Sequence, residues 1–431
     1  MCIRLSTSKT AYMKRTLLAL RWATVLCMTL AFSGCLKDHV TKTYTIYTPI
    51  YKERAEVLAN IKSNAPQTIK EKGKFYLYGS YIFLNELNKG IHIINNSNPA
   101  APVREAFIDI PGNVDIAVKG NTLYADLYTD LLAIDITNPL QAQLKSVMRS
   151  VFPERQYASN FRTDSTKVVV GWNTKDTTVN VADEATFFNC PNCMANRGVF
   201  VSDNSAARPA ASVPGIAGSM SRFSIVNDIM YAVNTYELKV LDISNTMVPV
   251  KLGSSFVGTN IETIYPFKDK LFIGSGSGLF IYEISNPVSP KRLGSFSHAR
   301  ACDPVVADDN YAYVTLRAGT FCTGVNNQLD VVNVQNLLGP TLTKTYPMTN
   351  PHGLSKDGNL LFICDGKDGL KVFDASNVLD LKQIKHVKDI ETYDVIAWNN
   401  LAIVVASDGI YQYSYSSGAD LKQLSKISIQ Q

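Results

Sequence analysis

Long apolar runs are missing from this 431-residue chain after residue 32. A membrane-spanning helix needs about 20 consecutive apolar residues, so no later segment reads as one. Blocks of Lys and Arg are missing too. The net charge of +5 is spread along the chain and gives no argument for nucleic acid. Several reaction signatures are absent: there is no Gly-x-Ser-x-Gly elbow, no His-Glu-x-x-His helix and no Walker loop. The Ser-x-Asp-x-Gly-x-Thr-Trp box of sialidases is also missing. Residues 274–278, GSGSG, are glycine-rich, but no helix follows to complete a phosphate cradle.

What the chain does contain is one phrase written about eight times: a short apolar strand, an acidic residue, then a Ser-Asn-Pro-like turn. The copies are GIHIINNSNP (90–99), LLAIDITNP (131–139), GVFVSDNSA (198–206), ELKVLDISN (237–245), GLFIYEISNP (278–287), QLDVVNVQN (328–336), GLKVFDASN (369–377) and GIYQYSYSS (409–417). Most neighbours lie about forty residues apart, the length of one four-stranded propeller blade. Residues 113–147 show the grammar. Asp115–Val118 reads as an inner strand, Lys119-Gly120-Asn121 as a tight turn, Leu123–Leu127 and Leu131–Ile136 as the next strands. Pro139 then breaks the pattern, because a residue before proline is pushed out of regular structure.

The expected fold is therefore all-β: a β-propeller of four-stranded blades in a single domain, eight blades favoured and seven the alternative. One blade cannot bury both faces of its sheet, and closing the ring leaves only short edges. The period breaks between residues 140 and 198, where an irregular insertion is expected. The propeller is assigned to 57–431 and a polar tether to 35–56. The phrase resembles the LVIVD repeat of bacterial surface proteins and lipoproteins, best at Ile134-Asp135-Ile136-Thr137-Asn138-Pro139 and Leu241-Asp242-Ile243-Ser244-Asn245. Val334-Gln335-Asn336 and Tyr413–Ser417 depart from it. The resemblance implies a propeller and no particular chemistry.

Residues 1–34 read as a lipoprotein signal peptide. A basic stretch with Lys14, Arg15 and Arg21 precedes an apolar segment, Trp22–Phe32, too short to span a bilayer. Ala31-Phe32-Ser33-Gly34-Cys35 resembles a bacterial lipobox. That implies cleavage before Cys35 and lipid on its thiol, hence a membrane partner through the anchor. No Asp follows Cys35 directly, which favours an outer-membrane lipoprotein of the cell envelope. An ordinary secretory signal is the alternative.

The repeated Asp135, Asp242 and Asp374 read as structural: each can accept hydrogen bonds from its own turn two residues on. Functional candidates are the polar residues that differ between blades at the start of the inner strand, around the channel mouth, each expected to be exposed on a turn. These are Asp115, Arg222, Glu262, Asp303, His352 and Asp394, with Asn160 in the irregular region and Arg300, Asn260, Asn350 and Tyr393 beside them. Oxygen ligands with one imidazole would suit a divalent cation at this mouth; no other cofactor is expected.

Cys302 begins an inner strand and Cys322 lies on a loop returning to the same face, so a disulfide between them is expected. It would close a loop of about twenty residues and contribute about 3 kcal/mol. Cys190 and Cys193 form a lone Cys-x-x-Cys, half of a zinc site, for which a local disulfide is the plainer reading. Cys364, in an apolar strand, reads as a buried free thiol. Two functions stay open. One is a non-catalytic envelope lipoprotein whose propeller face binds a glycan, peptide or partner protein. The other is a surface-polysaccharide hydrolase using mouth carboxylates such as Glu262 and Asp303.

Overall fold

The structure is a computed structural model. It describes residues 41–71, 73–155, 166–180, 198–200, 216–220, 222–298, 304–319, 326–416 and 420–430. Two compact units are present, Met1–Ile46 with Thr174–Val201, and Tyr47–Asn173 with Ser202–Gln431. The larger unit holds seven antiparallel blades. Blade 1 runs Phe75–Tyr78, Tyr81–Glu86, Gly90–Asn95, Val103–Asp109, and blade 2 runs Ile116–Lys119, Thr122–Leu127, Asp130–Asp135, Gln143–Met148. The inner strands of blades 3 to 7 are Phe223–Val226, Ile261–Phe267, Val305–Ala307, Leu354–Asp357 and Thr392–Trp398. Each is followed by three more strands in the same order.

The blade number corrects the favoured eight to the alternative seven. The described residues of the third copy, 198–200, are not part of a blade. Gly198–Phe200 instead pairs into a separate three-stranded sheet with Thr41–Glu53 and Lys167–Asn180. A strand-turn pattern fixes local backbone, but it makes a blade only when its apolar faces meet neighbours in the ring. Residues 41–53, read as tether, form one of these strands, followed by a short helix, Arg54–Ala59.

Apolar clusters fill the seams between blades, each drawing on two neighbours. The last seam closes the ring: Phe75, Ile82, Leu84 and Ile94 of blade 1 pack against Ile396, Ile403, Val405 and Ile410 of blade 7. Each such side chain, removed from water, contributes about 1.5–3 kcal/mol. Ser425 adds a polar latch here, its hydroxyl donating to the Pro99 carbonyl at 2.6 Å.

The phrase itself resolves into two successive side-chain turns. The carboxylates of Asp135, Asp242 and Asp374 accept from the N–H groups of Thr137, Ser244 and Ser376 at 2.9, 2.7 and 2.9 Å. Three residues after each Asp, the next turn repeats the device. The side chains of Asn138, Asn245 and Asn377 accept from Leu140, Met247 and Leu379 at 3.1, 3.2 and 3.1 Å. Such bonds satisfy N–H groups that the strands no longer pair. The assignment of the repeated Asp to the fold is borne out.

Candidate functional site at the channel mouth

The blade registers bring the sequence candidates to one end of the inner strands. Asp115 and Arg222 immediately precede the inner strands of blades 2 and 3. Glu262 and Asp394 lie within the first turns of pleat of blades 4 and 7, and His352 lies two residues before blade 6. Asp303, Asn160 and Arg300 lie outside the described residues. So do Cys35, Cys190, Cys193, Cys302 and Cys322, and with them the lipidation and both disulfide expectations. Cys364 is a buried free thiol, as expected. Burial in its apolar strand pushes the thiol well above its usual range.

The mouth residues were expected on exposed turns, and here the structure corrects the sequence. Asp115, His352 and Asp394 are 0%, 4% and 3% exposed. A short segment from outside the blade repeats packs against them. Ile216 and Ala217 pair with Leu77 and Tyr76, adding a fifth strand to the inner edge of blade 1. Ser219 then accepts from the Leu354 N–H of blade 6 at 2.8 Å and donates to Asp394 of blade 7 at 3.5 Å. The Arg222 N–H donates to Asp115 of blade 2 at 3.2 Å. Residues 216–220 and 222 thus touch blades 1, 2, 6 and 7 at the mouth. Gly218 is needed for this close approach: a Cβ there would lie 1.7 Å from the Asp394 carboxylate.

On the side of blades 1 and 2 the mouth is a sealed ionic core. Lys74 Nζ meets Asp115 Oδ2 at 2.6 Å, with both side chains buried. Arg155 pairs with buried Asp126. Asp126 also accepts from the N–H groups of Val114 and Asp115 at 3.0 and 2.7 Å. Burial pulls Lys74 well below the usual amine range despite the Asp115 charge, and pushes Asp115 up despite Lys74. Arg155 is lowered by burial and by the like charge of Arg222.

On the side of blades 5 to 7 the mouth is more open. Arg317 Nη1 lies 2.8 Å from His352 Nδ1, and Asn350 Nδ2 lies 3.3 Å from His352 Nε2. The His352 and Tyr393 rings meet edge to face at 5.1 Å between centroids. Arg317, Asn350 and Tyr393 are part-exposed above buried His352. The Tyr393 hydroxyl is raised by burial first and by its bond to Glu391 second. Asp365 holds the floor, accepting from the Asn350 N–H at 2.7 Å and from Lys371 at 2.5 Å.

Sequence reasoning found Asn350, His352 and Tyr393 but missed Lys74, Asp126, Arg317 and Asp365. A signal for two of these existed. A polar residue stands one place before the end of the second strand, at its end or directly after it in several blades, as Asn85, Asp126, Asn234, Ser275 and Asp365 do. Those side chains are buried and serve the mouth loops: Asn234, for instance, accepts from the Tyr236 N–H at 2.8 Å. Among the described residues, no group of three or more His, Cys, Asp or Glu is placed to hold a metal ion.

This arrangement defines the class: among the described residues, a seven-bladed β-propeller with a polar mouth. The chain carries an LVIVD repeat, matched over residues 112–148, which is blade 2 with the turn before it. No curated protein matches it. Among solved structures, a protein from Lactobacillus plantarum is similar at 11% identity with TM-score 0.53, covering 90% of this chain and 97% of the other. The computationally designed Ika8 protein is similar at 9% identity with TM-score 0.50, covering 85% and 90%. The periplasmic gluconolactonase PpgL of Pseudomonas aeruginosa aligns at 10% identity with TM-score 0.49, covering 90% and 97%. At these identities the likeness is one of fold alone.

Proposed function

We propose that this protein is a non-catalytic binding protein of the cell envelope, anchored through lipid on Cys35. Its mouth face over blades 5 to 7 docks a glycan rich in hydroxyl and acidic groups. The observation that carries this reading is the contrast in how the mouth's groups are held. Asp115 and Asp394 are buried and bonded to their own fold, which leaves them no approach to a scissile bond. Arg317, Asn350 and Tyr393 are part-exposed and supply a forked cation, an amide and an aromatic surface, the groups that recognise polar sugars. A surface-polysaccharide hydrolase is the competing reading.

The test uses the mature chain on an array of acidic and neutral glycans, followed by titration of the best binder. The combined Arg317→Ala, Asn350→Ala variant is expected to weaken binding at least tenfold with little change in melting temperature. Unchanged affinity in that variant would remove the mouth assignment. Release of reducing ends by wild type, lost in Asp394→Asn, would establish the hydrolase instead. For the anchor, Cys35→Ala is expected to leave the membrane fraction and to lose palmitate labelling.

A further inference from the structure

The ring-closing seam differs from the others. In five blades the second residue after the turn asparagine is large and apolar: Leu140, Met247, Val288, Leu338 and Leu379. In blade 1 it is Ala100. Where Leu379 stands, the outer strand of the preceding blade closes down on the turn. Tyr346 donates to the Val378 carbonyl at 2.7 Å, and Lys344 bonds the Leu379 carbonyl. Where Ala100 stands, a groove of about 470 Å³ opens between blade 1 and the last strand of blade 7, Lys422–Ser428.

The groove's chemistry is uneven. Arg104 and Lys426 line it together with Ser428 and Gln430, while Ala100, Pro102 and Ile427 supply apolar surface. Lys426 is shared, meeting Asp408 at 2.6 Å, and that bond holds its amine above the usual range. The Arg104 guanidinium meets no acceptor among the described residues. Its counterpart in blade 4, Arg292, is by contrast committed, lying 4.5 Å over the Phe280 ring and 3.4 Å from the Val257 carbonyl. A guanidinium fork left open in a concave, partly apolar groove matches a planar carboxylate on a compact body.

We infer that this seam groove is a binding site for a small acidic ligand: a carboxylate, held by Arg104, on a body about the size of a monosaccharide. Ser428 and Gln430 face its hydroxyls, and Ala100 provides the room. The site lies at the outer seam and uses none of the mouth residues.

The probe is glucuronate, with glucose as the neutral control, titrated into the mature chain by calorimetry or NMR. Wild type is expected to bind glucuronate with a dissociation constant of about 1 mM or tighter, and to ignore glucose. Ala100→Leu, which places at the groove's lining the larger residue other blades carry, is expected to crowd the ligand and weaken binding at least tenfold at unchanged melting temperature. Arg104→Met is expected to do the same by removing the fork. Arg317→Ala, at the mouth, is expected to leave it unchanged. No glucuronate binding by wild type, or equal affinity in Arg104→Met and Ala100→Leu, would overturn the inference.

Discussion

Asp242 and Asp115 both sit at the end of a strand, on opposite sides of the blades, and they are held in opposite ways. Asp242 has equivalents in other blades, is half-exposed, and bonds a turn two residues away. Asp115 shares its place in the blade with Asp394 of blade 7, but its partners are its own: it is fully buried and bonds Lys74 across a blade seam and the Arg222 N–H. Recurrence and energetic weight are therefore different properties. A recurring residue solves a local backbone problem that every blade shares. A residue whose partners lie on other blades solves a problem of assembly. Removing Asp115 strands a buried amine, whereas removing Asp242 exposes a turn to water that already reaches it.

The largest expected effect follows. Asp115→Ala leaves Lys74 without its buried carboxylate and is expected to cost about 3–5 kcal/mol by denaturant unfolding. The double variant Lys74→Met, Asp115→Leu is expected to recover much of that, since a well-packed apolar pair avoids desolvating two charges. Both pKa directions agree, because burial acts against the charged form of each partner more strongly than their attraction favours it. A single variant as stable as wild type would mean that the two residues do not meet.

The next effect concerns the segment packed against the mouth. Gly218→Ala pushes a methyl group into the Asp394 carboxylate, and Gly353 presses on the same carboxylate from the other side, its Cβ position lying 2.0 Å away. Overpacking of this kind costs about 1–3 kcal/mol. The melting temperature is the readout, and a wild-type value in Gly218→Ala would show that Gly218 does not press against Asp394.

Much of this fold was legible before any coordinate. The hairpin at Gly120, whose φ is +52°, the strands of blade 2 and the Asp turns all stand where local pattern put them. Local pattern sufficed because each decision involves residues a few positions apart. Three things were not legible, for one common reason. The fate of residues 198–200, the path of residues 216–220 and the burial of the mouth depend on which distant strands find each other. Lys74 is 41 residues from Asp115, and Ser219 is 175 from Asp394. No periodicity encodes those meetings, so residues placed correctly at one end of the ring were wrongly expected to be exposed.

The smallest effect tests the turn face by pH. Asp135 is held below the ordinary carboxylate range by the Thr137 N–H and hydroxyl, Asp242 by the Ser244 hydroxyl and N–H, and Asp374 by the Ser376 N–H and hydroxyl. A depressed folded-state pKa stabilises the protein at pH values above the unfolded value, about 3.9 for Asp, and that stabilisation disappears as pH falls through the folded value. Wild type should therefore lose stability below about pH 4 in part through these groups. The triple variant Asp135→Asn, Asp242→Asn, Asp374→Asn keeps an acceptor oxygen in every turn but nothing to titrate. Near neutral pH its urea midpoint should stay close to wild type. Between about pH 5 and pH 3 its midpoint should fall by less than that of wild type. The difference should be small beside the effect of Asp115→Ala, because these carboxylates remain in contact with water. A triple variant that unfolds at neutral pH would reverse the comparison, making charge on the recurring residues, and not only their acceptor geometry, the larger contribution to the ring.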